Sequence, residues 1–294
     1  MQSIHELAPA KINLALHVTG LRQDGYHLLD SLVGFSRHGD MLHFRLADED
    51  SFTLSGPFAA LLDGEACSGN LVIKARDRLR ALLLAGGHAA PAIAIELQKN
   101  LPVAAGIGGG SADAAAALRG LQRAWQVELP PERLASLAVD LGADVPMCLA
   151  GQPLRAKGIG EQLTPLPHMP LFGLLLGNPL QPVSTPAIFK ALQSRDNAPL
   201  PPPPAHGGQH SWTAYLQTLR NDLEPPARTL CPAIAELAAL IAGTGALVTR
   251  MSGSGASCFG LFATQEQAEA ARVTLHAMKP DWYFSSSSIG HAGV

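Results

Sequence analysis

Three groups of residues in this 294-residue chain have types and spacings that could do chemistry. The densest runs Leu101-Pro102-Val103-Ala104-Ala105-Gly106-Ile107-Gly108-Gly109-Gly110-Ser111-Ala112-Asp113, with four glycines among the five positions 106–110 and an alanine run behind it. Glycine lets successive backbone N–H groups turn toward one point without Cβ obstruction, and alanine is the strongest helix former. Ser111 suits an N-cap and Asp113 a first helical turn. A glycine nest feeding a helix N-terminus is an anion site sized for phosphate. A plain turn needs fewer glycines, so phosphate binding is the reading adopted. The second group is Lys11 and Asn13, two apart on one side of an alternating segment. The third is Asp144, between a helix end and an apolar run, where charge is expensive and an acid calls for a role.

The type of phosphate loop is narrowed by what is missing. No Lys follows the glycines, so the pattern G-x-x-x-x-G-K-[ST] is absent. A dinucleotide fingerprint wants glycine where Ser111 stands and an acid about 20 residues on. Asp140 lies too far along and ends a helix, not a strand. Lys99, delivered by a strand just before the glycines, could lie over a bound phosphate. His27, in Asp24-Gly25-Tyr26-His27, carries little weight alone. His206 and His210 are four apart, but Gly207-Gly208 breaks any helix between them, so they are read as part of an exposed, mobile loop spanning Ala198–His210, with its proline run.

These residues need elements to hold them. Ala10–Thr19 alternates, with Ile12, Leu14, Leu16 and Val18 on one face and Lys11, Asn13, His17 and Thr19 on the other. Strand character recurs around Leu28–Phe35, Met41–Leu46 and Ile93–Leu97. Asn70 caps a helix that Gly86-Gly87 closes. Pro131 and Gly142 bracket the helix Glu132–Leu141, and Val145-Pro146 leads into an expected strand, Met147–Ala150. A soft boundary near residue 165 divides the chain into 1–165 and 166–294. Beyond it, Phe172–Leu176 is a strand, Ser184-Thr185-Pro186 opens a helix through Phe189, and a helix spans about 233–242. Strands Leu247–Met251 and Cys258–Phe262 flank a second glycine turn, Ser252–Ser257, before a helix at Gln265–Met278 and a short strand at Trp282–Phe284. Alternating strands and helices of this kind predict an α+β architecture.

Composition bounds the partners. At 47% hydrophobic residues the chain can bury a core, and a net charge of -3 gives no basic field for nucleic acid or an anionic membrane. No apolar run reaches the ~18 residues that a membrane span needs. Cys67, Cys148, Cys231 and Cys258 are scattered without a C-x-x-C pair, which predicts reduced thiols and a cytoplasmic protein.

Pro9-Ala10-Lys11-Ile12-Asn13-Leu14, the Gly106–Ser111 loop and Met251–Ser257 together resemble the GHMP kinase superfamily, in order and spacing. Asp24–His27, Leu141-Gly142-Ala143-Asp144-Val145-Pro146 and Asn221-Asp222-Leu223-Glu224 resemble the branch acting on cytidine diphosphate methylerythritol. The likeness covers Pro9 to about Phe262. It implies a two-domain fold, with an N-terminal domain like ribosomal protein S5 domain 2 and a ferredoxin-like C-terminal domain. It implies transfer of the ATP γ-phosphoryl group to the substrate's 2-hydroxyl in the non-mevalonate isoprenoid route. By resemblance, Asp144 is the catalytic base and Lys11 its cationic partner. Asn70, Lys99, Pro102, Gly106, Ile107, Gly108, Gly109, Gly110, Ser111 and Asp113 hold ATP; Asn13, Tyr26, His27, Thr185 and Phe189 hold the cytidyl substrate. Mg²⁺ is expected to arrive with ATP, with Ser111 a candidate ligand. The chemistry agrees: a cation keeps Asp144 ionised, and Tyr26 and Phe189 offer flat faces to a cytosine ring. Residues 194–212 depart from the family pattern. A homoserine or mevalonate type of GHMP kinase, and an inactive nucleotide-binding sensor, are the competing readings.

Overall fold

The computed structural model describes residues 3–62 and 69–291; Cys67 lies outside them. Two long strands open the chain, β1 (Ile4–Leu21) and β2 (His27–Leu46), paired with each other. Their connection turns at Gly25, with φ +89°, where Tyr26 N–H donates to Asp24 Oδ1. Next come β3 (Ser51–Ser55), α1 (Leu71–Ala85) and β4 (Ile93–Gln98). Asn70 caps α1 as expected, its Oδ1 accepting from Val72 N at 2.9 Å, and Gly86 ends it. The middle of the chain holds α2 (Gly109–Ala124), α3 (Pro131–Leu141), α4 (Val145–Ala150), β5 (Leu154–Gly158) and β6 (Gln162–Pro165). The remainder is β7 (Phe172–Asn178), α5 (Thr185–Lys190), α6 (Gln209–Gln217), α7 (Glu224–Leu230), α8 (Ala233–Gly243), β8 (Val248–Met251), β9 (Cys258–Phe262), α9 (Gln265–Met278) and β10 (Tyr283–Ile289).

Contacts divide the chain into two compact units that interleave along the sequence. The first comprises residues 1–10, 39–103 and 108–151. In it β4 pairs antiparallel with β2, Met41 opposite Gln98, and parallel with β3, Ser51 opposite Ala94. Helix α2 packs on α1 and α4. Its buried residues include Ala112 and the run Ala114–Ala117, small side chains that let it approach its neighbours closely. At Gly120 the approach is closest: a Cβ there would lie 2.2 Å from the Phe44 ring, so only glycine fits.

The second unit comprises residues 11–38, 104–107 and 152–294. Its strands β10, β7, β9 and β8 lie side by side, all antiparallel, with Tyr283 opposite Asn178 and Gly173 opposite Phe262. Ile234, Leu237 and Ile241 of α8 and Ala268, Ala271 and Leu275 of α9 fill its core with Leu175, Met251, Phe262 and Phe284. Each large apolar side chain so buried contributes about 1.5–3 kcal/mol.

Some details differ from the sequence reading and some add to it. On β1, Lys11, Asn13 and His17 are buried along with the aliphatic residues between them. Met147–Ala150 is not a strand but most of α4, because Pro146 fits a helical first turn, where its missing N–H is no loss. Helix α7, which the sequence reading did not single out, also has proline in its first turn. The segment around Ala198–His210 is coil up to α6, yet it is anchored. Leu200 N–H donates to buried Asp30, Leu200 O accepts from Arg155 Nη2 at 2.6 Å, and Tyr215 O–H donates to Pro201 O at 2.8 Å. Prolines lack amide donors, so the anchoring falls on the amide and carbonyl of Leu200 and the carbonyl of Pro201.

Candidate functional site

In the first unit the glycine loop enters α2 earlier than the sequence suggested. Gly108, with φ +64°, is the N-cap, and Ala112 N donates to Gly108 O at 2.8 Å. Ser111 is therefore the third helical residue, not the cap. The left-handed glycine turns the chain into the helix before serine can do so. No side chain caps α2, so its first amides and the positive end of its dipole are presented together. Ala104, Gly106 and Gly108 all have positive φ, the backbone region that glycine adopts most readily.

Lys99 and Asp113 pair with each other inside the first unit. Both are buried, at 3% exposure, and Lys99 Nζ donates to Asp113 Oδ2 at 2.7 Å. Lys99 also donates to Asp40 Oδ2, and Asp40 is fully buried. Asp40 Oδ1 accepts from the Asn100 and Leu101 amides at 2.6 and 2.9 Å. Burial pushes the Asp113 carboxyl up to about 7, against the pull of Lys99. Asp113 is the fifth residue of α2, past its first turn. Asp40 was missed by the sequence reading, since its partner lies 59 residues away. Asn70 is spent on its cap and Pro102 is buried.

Asp144 occupies the N-cap position of α4, half-buried, directly after Gly142 closes α3. Its side chain accepts no cap hydrogen bond, while its carbonyl accepts from Cys148 N at 3.1 Å. Two helices thus fix the backbone on both sides of the carboxylate.

In the second unit three separated motifs interlock. Lys11 N donates to Ile107 O at 2.9 Å, and Ser257 N to Ala105 O at 3.3 Å. Ser252 is the junction: its Oγ accepts from Asn13 N at 3.1 Å and donates to Gly106 O at 3.0 Å. Asn13 Nδ2 donates to Ser31 Oγ at 2.8 Å, and Asn13 Oδ1 is buried without a partner. Asn221 Nδ2 donates to Met251 O and Gly253 O, bracing the second glycine turn. Ser252 and Ser31 were not singled out in the sequence, although Ser252 sits within a motif that was.

The expected substrate residues of this unit gather as well. The His27 and Phe189 rings meet at 4.6 Å and 32°, and Thr185 Oγ1 lies 2.7 Å from Ser254 Oγ on the second glycine turn. Tyr26 is 60% exposed, an aromatic face open to a ligand. Burial, with a smaller push from the Arg195 charge, lowers the His27 pKa below the ordinary histidine value. The ring is therefore neutral at pH 7, and its buried Nε2 has no protein partner. Among the described residues no three His, Cys, Asp or Glu side chains cluster as a metal cage.

Residues 70–152 match the family model for the GHMP kinases N terminal domain, and 209–281 that for the GHMP kinases C terminal. A 4-diphosphocytidyl-2-C-methyl-D-erythritol kinase of Rhizobium leguminosarum bv. trifolii is 55% identical over 99% of this chain and 96% of its own. One of the same name from Agrobacterium fabrum is 53% identical over 96% and 95%. A crystal structure of 4-(cytidine 5'-diphospho)-2C-methyl-D-erythritol kinase superposes with a TM-score of 0.80 at 31% identity, covering 98% of this chain and all of that one. A homoserine kinase from Cytophaga hutchinsonii, at 19% identity and a TM-score of 0.65, shares the fold.

Proposed function

The chain belongs to the GHMP kinase family, and on that premise we propose that it transfers the γ-phosphoryl group of ATP to the 2-hydroxyl of 4-diphosphocytidyl-2-C-methyl-D-erythritol. This places it in the non-mevalonate route to isoprenoid precursors. The observation that carries the reading is the 55% identity, across nearly the whole chain, to a relative of that name. The geometry supports it at the uncapped start of α2, suited to polyphosphate, and at the His27–Phe189 ring pair, suited to a nucleobase.

In the reaction the acceptor oxygen bonds to the γ-phosphorus as the bond to the bridging oxygen of ADP breaks, and the hydroxyl proton goes to Asp144. Positioning and charge stabilisation dominate such transfers. The amides of Gly109, Gly110 and Ser111 stabilise phosphate oxygens, and the family resemblance assigns Lys11 the role of a positive charge that steadies the attacking oxygen. Mg²⁺, when bound with the nucleotide, neutralises phosphate charge. The donor set suits an ion held largely by phosphate oxygens and water. Ser111 Oγ, in no hydrogen bond among the described residues, is the protein ligand we assign to it. Tyr26 and Phe189 stack on the cytosine, neutral His27 hydrogen-bonds its polar edge, and Asn13 and Thr185 orient the remainder. Buried, reduced thiols at Cys148, Cys231 and Cys258 suit a cytoplasmic enzyme. No helix among the described residues is long and apolar enough to cross a membrane.

The test is ADP release from ATP and Mg²⁺ with the cytidyl methylerythritol, homoserine and mevalonate offered in parallel. Turnover with the cytidyl compound alone is expected. Turnover with another alcohol would keep the kinase and discard the nucleobase pocket, and nucleotide binding without any turnover would favour a sensor.

The state of His27 adds a prediction. Since its pKa is depressed, the imidazole gains a proton only below the ordinary value of 6.5. The inflection in KM for the cytidyl substrate should therefore fall on the acid side of 6.5, with KM rising as pH drops. An inflection in KM at or above that value, absent in His27→Asn, would contradict a neutral ring held by burial.

A further inference from the structure

Lys99 has three ammonium donors, and two of them are directed at carboxylates inside the first unit. Lys99 is the first residue after β4, at the entrance to the glycine loop, and Asp113 lies on α2, at its exit. Asp40 sits on β2 and binds the two amides that follow Lys99. One ammonium thus ties the strand, the chain entering the loop and the helix leaving it. The cluster also lies against the first turn of α2: a Cβ on Gly109 would be 3.7 Å from Lys99 Nζ and 3.8 Å from Asp40 Oδ2. With the Lys99 side chain only 4% exposed, touching a phosphate would require it to abandon two buried carboxylates. A buried charge left without its partner is destabilised by several kcal/mol, which a single phosphate contact does not offset.

We propose that Asp40, Lys99 and Asp113 are positioning residues that fix the N-terminus of α2 for the nucleotide, and that Lys99 acts through the two carboxylates without contacting phosphate. The inference rests on the ATP-binding reading above. Its logic is electrostatic. Taking away the ammonium leaves two carboxylates facing each other in a dry site, where like charges cannot both remain ionised in place. One of them must take up a proton, or the chain after β4 or the first turns of α2 must shift; in either case the ammonium tie between that chain and α2 is lost, and the amide cradle loosens with it. Taking away one carboxylate together with the ammonium removes that conflict. The side-chain amide introduced by Asp113→Asn could then donate to Asp40, which would still hold the Asn100 and Leu101 amides.

A direct phosphate ligand and a positioning residue therefore respond oppositely to a second substitution. Calorimetric binding of a non-hydrolysable ATP analogue is measured for wild type, Lys99→Met and the double variant Lys99→Met/Asp113→Asn, with KM for ATP and kcat alongside. Lys99→Met should weaken binding well beyond roughly tenfold and raise KM more than it lowers kcat, about 1.4 kcal/mol per factor of ten. The double variant should return to within roughly tenfold of wild type. A double variant weaker than that would show that the ammonium itself serves the nucleotide and overturn the proposal. So would a Lys99→Met enzyme that binds like wild type. If Lys99→Met does not fold, the double variant decides the matter on the same threshold. Failure of wild type to bind the analogue would instead remove the ATP reading on which the inference rests.

Discussion

Asp144→Asn should lower kcat by between about 100- and 10,000-fold, the range a positioned general base supplies, while nucleotide affinity changes little. The substitution is close to isosteric. Because the Asp144 side chain caps no amide of α4, and asparagine is equally favoured at an N-cap, the helix and its approach from α3 are undisturbed. The amides proposed to bind the nucleotide belong to α2, a separate element of the same unit. The loss should therefore appear in the chemical step, in single-turnover phosphoryl transfer as well as in steady-state ADP release. Where within the range it falls is informative. A loosely dissociative transition state with late proton removal puts it at the lower end, and Asp144 is then chiefly an orienting group. A kcat within tenfold of wild type, with binding intact, would take the base assignment away from Asp144 and return the search to other acids of the unit.

Several local features around the candidate site were readable from residue types, and the departures share physical causes. The caps of α1 and α9, at Asn70 and Thr264, follow from local side-chain chemistry, and those helices begin where the sequence put them. Ser111 misled because local preference ranks serine above glycine at an N-cap, whereas the left-handed Gly108 had already turned the chain. Val145–Ala150 misled because a six-residue apolar run has no periodicity long enough to separate strand from helix. Lys99 and Asp113 were read as nucleotide contacts, a reading made without Asp40, whose partnership with Lys99 only the fold creates. The anchoring of the proline run was invisible for the same reason. Asp30, Arg155 and Tyr215 come from distant parts of the sequence to meet Leu200 and Pro201. Local rules located the groups, and non-local pairing determined which of them face a ligand and which face each other.

Gly106 is where that distinction has its largest effect on stability. In the sequence it is one more glycine of a phosphate loop. In the second unit it packs on the other glycine turn, and a Cβ at Gly106 would lie 2.6 Å from Ser252 O and 2.7 Å from both the N and O of Gly255. These are backbone atoms braced by Asn221 and by Ser252 N–H donating to Ser257 O at 2.9 Å, so they have little room to give. Its φ of +72° adds a conformational penalty for any L-residue. Gly106→Ala should therefore destabilise the protein by roughly 3 kcal/mol, about 1–2 from backbone strain and the rest from overpacking. For a chain of this size that lowers Tm by on the order of 5–10 °C. Gly110→Ala is the control. A Cβ there meets only Leu71 Cδ1, at 3.7 Å, and the backbone is helical, so Tm should hold or rise while ATP affinity falls through crowding of the amide cradle. Scanning calorimetry beside nucleotide titration separates the two glycines. If Gly106→Ala melted like wild type and lost only ATP binding, its contact with the second glycine turn would not be what requires glycine there, and both positions would belong to the cradle alone.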